Sequence, residues 1–144
     1  MKQILLAAAM LLSIGFTAKA QTTASNTTDC NIEVTVHCYD ALCNLVSSTG
    51  PIFIAMSGGT VSLPACNPGD FTVFEVCWAA VLGHGCGAPP SCAMVDGTPG
   101  GVPAPCGTGT FTGQIQSCDV CNNGGDGIGH ITYNPISNRL SITK

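Results

Sequence analysis

Positive charge is nearly missing from this sequence. Lys2, Lys19, Arg139 and Lys144 are its only basic side chains, eight side chains are acidic, and charged residues make up 8% of the chain. So few cations exclude electrostatic capture of nucleic acid or of an anionic membrane, both of which need clustered Lys and Arg. Aromatic residues are scarce as well, at 6%, and most are needed for a core, which leaves carbohydrate recognition on stacked rings without support. No long hydrophobic run occurs beyond Phe16, so no membrane span is expected. Apolar residues at helical spacing are also lacking downstream of that point, and no helix is predicted there.

What is present begins with a leader. Lys2 precedes an apolar run from Ile4 to Phe16, and Ala18-Lys19-Ala20 supplies the small-residue pattern of a cleavage site, so residues 1–20 read as a signal peptide cut near Ala20. The run has 13 residues, short of the roughly 20 that a spanning helix needs. Gln21, and not a cysteine, follows the cut, which excludes a lipid-anchored lipoprotein. Removing 20 of 144 residues leaves 124, the size of one domain that buries about two thirds of its unfolded surface. Lys2 and Lys19 leave with the leader, so two basic face eight acidic side chains and the formal charge becomes −6. The exported chain is expected to be extracellular, with residues 21–29 a flexible polar tail and residues 30–144 one domain.

All ten cysteines lie beyond the leader: Cys30, Cys38, Cys43, Cys66, Cys77, Cys86, Cys92, Cys106, Cys118 and Cys121. That density is typical of disulfide scaffolds in oxidising compartments, and all ten are disulfide candidates. Connectivity is not readable from spacing. Cys38 with Cys43, and Cys86 with Cys92, are the local pairs that short turns can bring together.

The segment FTVFEVCW, residues 71–78, has β-branched and aromatic residues on both faces and reads as a central strand. Residues 31–38 alternate, with Ile32, Val34, Val36 and Cys38 on one face and Glu33, Thr35 and His37 on the other. Further strands are expected at 45–48, 52–56, 61–63, 108–118, 131–133 and 140–142. A tight Ser57-Gly58-Gly59-Thr60 hairpin precedes Val61, and Asn134-Pro135-Ile136-Ser137-Asn138 closes a second hairpin. In the 108–118 segment Phe111 and Ile115 face inward, and Thr108, Thr110 and Thr112 form an outward ladder of hydroxyls. Residues 83–107 hold seven glycines, five prolines and three cysteines and read as one long cysteine-pinned loop. The predicted class is an all-β, disulfide-stapled antiparallel β-sandwich of about seven or eight short strands. Leu63-Pro64 followed by Asn67-Pro68-Gly69-Asp70-Phe71-Thr72-Val73 resembles the turn-and-strand order of immunoglobulin-like and transthyretin-like secreted sandwiches. That resemblance implies a fold class and no activity.

Candidate sites are sparse. His84, Cys86, Cys92, Cys118 and Cys121 have the chemistry of zinc ligands, but in an oxidising space thiols pair with one another, so no metal is expected. Cys118-Asp119-Val120-Cys121 lacks the βαβ setting of a redox C-x-x-C motif. Asp119, Asn122, Asn123 and Asp126 offer oxygen donors, but without the spacing of a calcium loop. Ser57 reads as a turn serine. Glu33, His37 and His130 form no nucleophile–base–orienter set by spacing alone, and Glu75 is the one charge in the central strand, with no role assigned by its position. With no cofactor and no catalytic constellation, the expected function is a secreted, non-enzymatic structural or adhesive protein that can self-associate into a homo-oligomer or filament. The alternatives are a ligand-binding module, or an inhibitor or toxin, built on loop 83–107.

Overall fold

The computed structural model describes residues 21–79, 92–105, 107–116 and 128–144. The signal-peptide segment, His84, Cys86, Cys106, Cys118, Cys121 and the Asp119 to Asp126 donors lie outside the described residues. Ten strands are formed among the described residues: β1 (Thr22–Asn26), β2 (Ile32–Tyr39), β3 (Leu45–Ser48), β4 (Ile52–Ile54), β5 (Gly59–Leu63), β6 (Phe71–Trp78), β7 (Cys92–Asp96), β8 (Thr112–Gln116), β9 (Ile128–Asn134) and β10 (Arg139–Thr143). Sheet A has the order β5-β1-β10-β9-β8, and sheet B has the order β3-β2-β6-β7 with β4 also pairing β2. The result is the disulfide-stapled, all-β sandwich that the alternation predicts.

The centre of sheet B is the antiparallel β2–β6 pair, in register from Ile32 opposite Trp78 to Tyr39 opposite Phe71. Because side chains alternate across a strand, Ile32, Val34 and Val36 fall on the same face as Trp78, Val76 and Phe74, and all six are buried. Sheet A answers with Ile115, Ile131, Tyr133, Leu140 and Ile142, also buried. Each such side chain contributes about 1.5–3 kcal/mol of transfer free energy. The rings of Phe74 and Tyr133 meet between the sheets at 5.5 Å, and Trp78 Nε1 crosses to donate to Gln116 O at 2.8 Å. A Cβ at Gly129 would lie 2.8 Å from the Trp78 ring, so only glycine lets β9 approach there.

Residues 21–29 are not a flexible tail. β1 inserts into sheet A, antiparallel to β5 and parallel to β10, so the sandwich, antiparallel in every other pairing among the described residues, contains one parallel pair there. Apolar alternation is missing from TTASN because its burial rests on satisfied polar groups. Asn26, fully buried, donates from Nδ2 to Cys30 O at 2.7 Å and accepts at Oδ1 from Thr28 Oγ1 at 2.7 Å. Thr22 Oγ1 donates to Asn138 Oδ1 at 2.7 Å, and Lys144 Nζ pairs with Asp29 Oδ2 at 2.5 Å.

Two further expectations change. The Ser57-Gly58 turn has left-handed backbone at φ 59° and 103°, but it does not close a hairpin: β4 pairs β2 in sheet B and β5 pairs β1 in sheet A, so the turn carries the chain between sheets. Loop 83–107 is interrupted by β7, a five-residue strand hidden in the sequence by glycine and proline on both sides. β1 and β7 account for the strands beyond the eight predicted. The 131–142 hairpin forms as expected, with Arg139 opposite Asn134.

Candidate functional site at the open edge of sheet B

β3 and β4 run along the same side of β2, so together they form the border of sheet B. Between them Thr49 keeps hold of β2: its N–H donates to Val36 O at 3.0 Å, and its Oγ1 accepts from Val36 N at 3.0 Å. Among the described residues β3 has no strand on its other side. All four of its residues are exposed, with Leu45 at 54% and Val46 at 49%. Leu42, Phe53 and Met56 extend the exposed apolar strip. A bulge between Cys38 and Tyr39 of β2 leaves Val46 as the extra residue on β3.

No charged side chain occurs between Asp40 and Asp70. The lysines, inward charges and covering elements that usually protect a strand edge are therefore absent from this border among the described residues. Asp40 roots it. Its Oδ1 accepts from Leu42 N and Asn44 N, both at 2.9 Å, and its Oδ2 accepts from Asn44 Nδ2 at 2.9 Å. These bonds, with the Asn44 side chain foremost, hold the Asp40 carboxyl below the usual carboxylate range.

The outward face next to this border carries a connected polar line. His37 on β2 lies opposite Ser48 on β3 and diagonal to Glu75 on β6, whose direct partner on β2 is Thr35. Diagonal neighbours are about 7–8 Å apart, within reach of long side chains. His37 Nε2 and Glu75 Oε2 are 3.1 Å apart, and Ser48 Oγ and His37 Nδ1 are also 3.1 Å apart. Spacing alone does not assemble this set, because Ser48 joins it only through the β2–β3 register. His130 instead lies 3.5 Å from Gln114, and Ser57 stays a turn residue whose N–H donates to Thr28 O.

The cysteines sort differently from the local pairs expected. Cys38 bonds Cys66, not Cys43, because Cys38 points inward at the end of β2 beneath the 64–70 loop. Cys92 bonds Cys77, not Cys86, because β7 places it directly opposite Cys77 on the outer face. Cys30 and Cys43 are disulfide-bonded as well, and no described cysteine is free. Glu75, Cys77 and Cys92 hold ligand atoms within 4.8 Å of one another. With the two sulfurs joined, however, the thiolates that a metal would need do not exist.

The threonine ladder is spent internally. Thr108 Oγ1 and Thr110 Oγ1 are 3.2 Å apart, and Thr110 Oγ1 donates to Thr112 O at 2.9 Å. Beside it the Asp96 carboxyl is buried, with Oδ1 accepting from Thr108 N at 3.2 Å. Burial raises its pKa against the smaller opposing effect of backbone N–H groups. No helix among the described residues is long and apolar enough to cross a membrane.

No protein-family model, curated protein or solved structure matches the chain.

Proposed function

We propose that this is a secreted extracellular structural or adhesive protein, without enzymatic activity as its main role, whose copies associate through the β3–β4 border of sheet B. The observation that carries the reading is that border: four exposed residues of β3, flanked by exposed Leu42, Phe53 and Met56, with no charge from residue 41 to residue 69. A strand edge without charge is a template for another strand, and a second copy supplies an identical one, antiparallel about a two-fold axis. The −6 charge of the exported chain repels copies at long range, so the neutral border is where two of them meet at least cost. Secretion is supported by the Lys2 to Ala20 leader and by the disulfides, which persist in oxidising compartments.

The tail has no part in this association, because β1 is already paired on both sides within its own sheet. Negative-stain microscopy with light scattering on the oxidised protein lacking residues 1–20 tests the reading. Dimers that form more readily as salt screens the net charge support it, and monodisperse monomers at millimolar concentration overturn it.

A further inference from the structure

We propose that Ser48 is an acyl-accepting nucleophile, with His37 as its base and Glu75 as the residue that positions that base. The inference does not rest on self-association, but Ser48 shares β3 with the border proposed for it, so the site is tested on the monomer.

The three side chains lie in one line across three adjacent strands, β3, β2 and β6, so backbone pairing fixes their relative positions. Their proton order follows from chemistry. As a carboxylate, Glu75 only accepts, which places the imidazole proton on Nε2. Nδ1 then holds the lone pair, and it is this atom that faces Ser48 Oγ at 3.1 Å. The competing acceptor for the hydroxyl proton, Thr49 O, is farther away at 3.3 Å. Ser48 is exposed, as a nucleophile must be, whereas the base it contacts is sheltered: the His37 side chain is 16% exposed, and Glu75, at 36%, is more open. A nucleophile hydrogen-bonded to a base that is itself oriented by a third group is the arrangement that activates a hydroxyl.

With an activated ester of a small carboxylic acid, Ser48 Oγ bonds to the acyl carbon while its proton passes to Nδ1. Glu75 stabilises the resulting imidazolium at Nε2. The ester's C–O bond breaks, the alcohol leaves with the proton from Nδ1, and an acyl-Ser48 remains. Water, deprotonated at Nδ1, attacks that ester in turn and releases the carboxylic acid, restoring the serine. The site is thus a self-acylating position with a slow esterase turnover, on a border open to small acyl donors.

The test is exposure of the oxidised protein, at a concentration where it is monomeric, to p-nitrophenyl acetate. Released p-nitrophenolate is followed, and the acetylated residue is located by peptide mass spectrometry. The proposal expects acetyl on Ser48, none at that strand in Ser48→Ala, and a loss on the order of 10²-fold in acylation rate in His37→Gln. Glu75→Gln keeps the fold, checked by its melting temperature, but lowers the rate and alters its pH profile, which a merely structural glutamate would not do. Acetylation of Lys144 or the N-terminus with Ser48 unmodified overturns the proposal. So do equal Ser48 acylation rates in wild type and His37→Gln.

Discussion

Thr49 grips Val36 twice, once through its backbone N–H and once through its hydroxyl, both at 3.0 Å. The second bond replaces the strand partner that Val36 N would otherwise lack where β3 gives way to β4. Val36 is 1% exposed, so Thr49→Val, nearly the same shape, strands a buried donor. The expected cost is about 1–3 kcal/mol. Chemical denaturation with an unchanged m-value checks it, and a loss within a few tenths of a kcal/mol would show that water reaches Val36 N.

The N-terminal segment gives a second expectation. A variant that begins at Asp29 loses β1, unpairs β5, leaves β10 paired on its β9 side alone, and uncovers Leu63 and Leu140, which are fully buried. It should unfold or melt far below the protein that begins at Gln21, whereas removal of a flexible tail would leave the melting temperature unchanged. Asn26→Ala makes the same point with one side chain. It removes the acceptor of Thr28 N and the Nδ2 donor to Cys30 O, leaving Cys30 O its bond from Thr28 Oγ1, and costs roughly 1–3 kcal/mol.

These residues also mark how far the sequence is legible. β2 and β6 are readable because one buried face repeats with period two and nothing interrupts it. β1 is not, because its buried residues are Ala24, which is small, and the polar Thr22, Ser25 and Asn26, and Thr22 finds its partner far along the chain at Asn138. β7 is masked by its flanking glycines and prolines. The disulfides and the Ser48–His37–Glu75 line depend on register, which no local spacing encodes: Cys77 meets Cys92 and His37 meets Ser48 only once strands are paired.

Asp96 predicts an unusual pH dependence. Its folded pKa lies above the unfolded value of about 3.9. The folded state therefore holds a proton that the unfolded state has released. That contribution is fully present below the unfolded pKa and is lost as pH rises through the folded one. Asp96→Asn mimics the protonated acid, so its melting temperature should gain on wild type as pH rises from 3 to 7. Asp40 has the opposite sign: its lowered pKa gives a contribution present above the unfolded pKa and lost as pH falls. A gap between Asp96→Asn and wild type that does not change with pH would contradict the assignment.

Cys77–Cys92 and Cys38–Cys66 should differ in accessibility to a dithiol. Cys92 is exposed on the outer face of sheet B, whereas Cys38 is 6% exposed. Stepwise reduction with alkylation and mass spectrometry is expected to label Cys77 and Cys92 before Cys38 and Cys66. The two bonds close loops of 15 and 28 residues, so loop entropy assigns each about 3–4 kcal/mol. Equal labelling rates at the two pairs would contradict the difference in exposure.

Association through the β3–β4 border is tested most directly by sedimentation velocity on the oxidised protein lacking residues 1–20, beside Val46→Lys, over a hundredfold range of concentration at two salt concentrations. Val46 is 49% exposed, so the lysine removes little packing and adds the charge that natural edges use against pairing. The account predicts a concentration-dependent oligomer, strengthened by salt, that Val46→Lys reduces to monomer with an unchanged melting temperature. Identical sedimentation of the two proteins, whether both are monomeric or both associated, would contradict it.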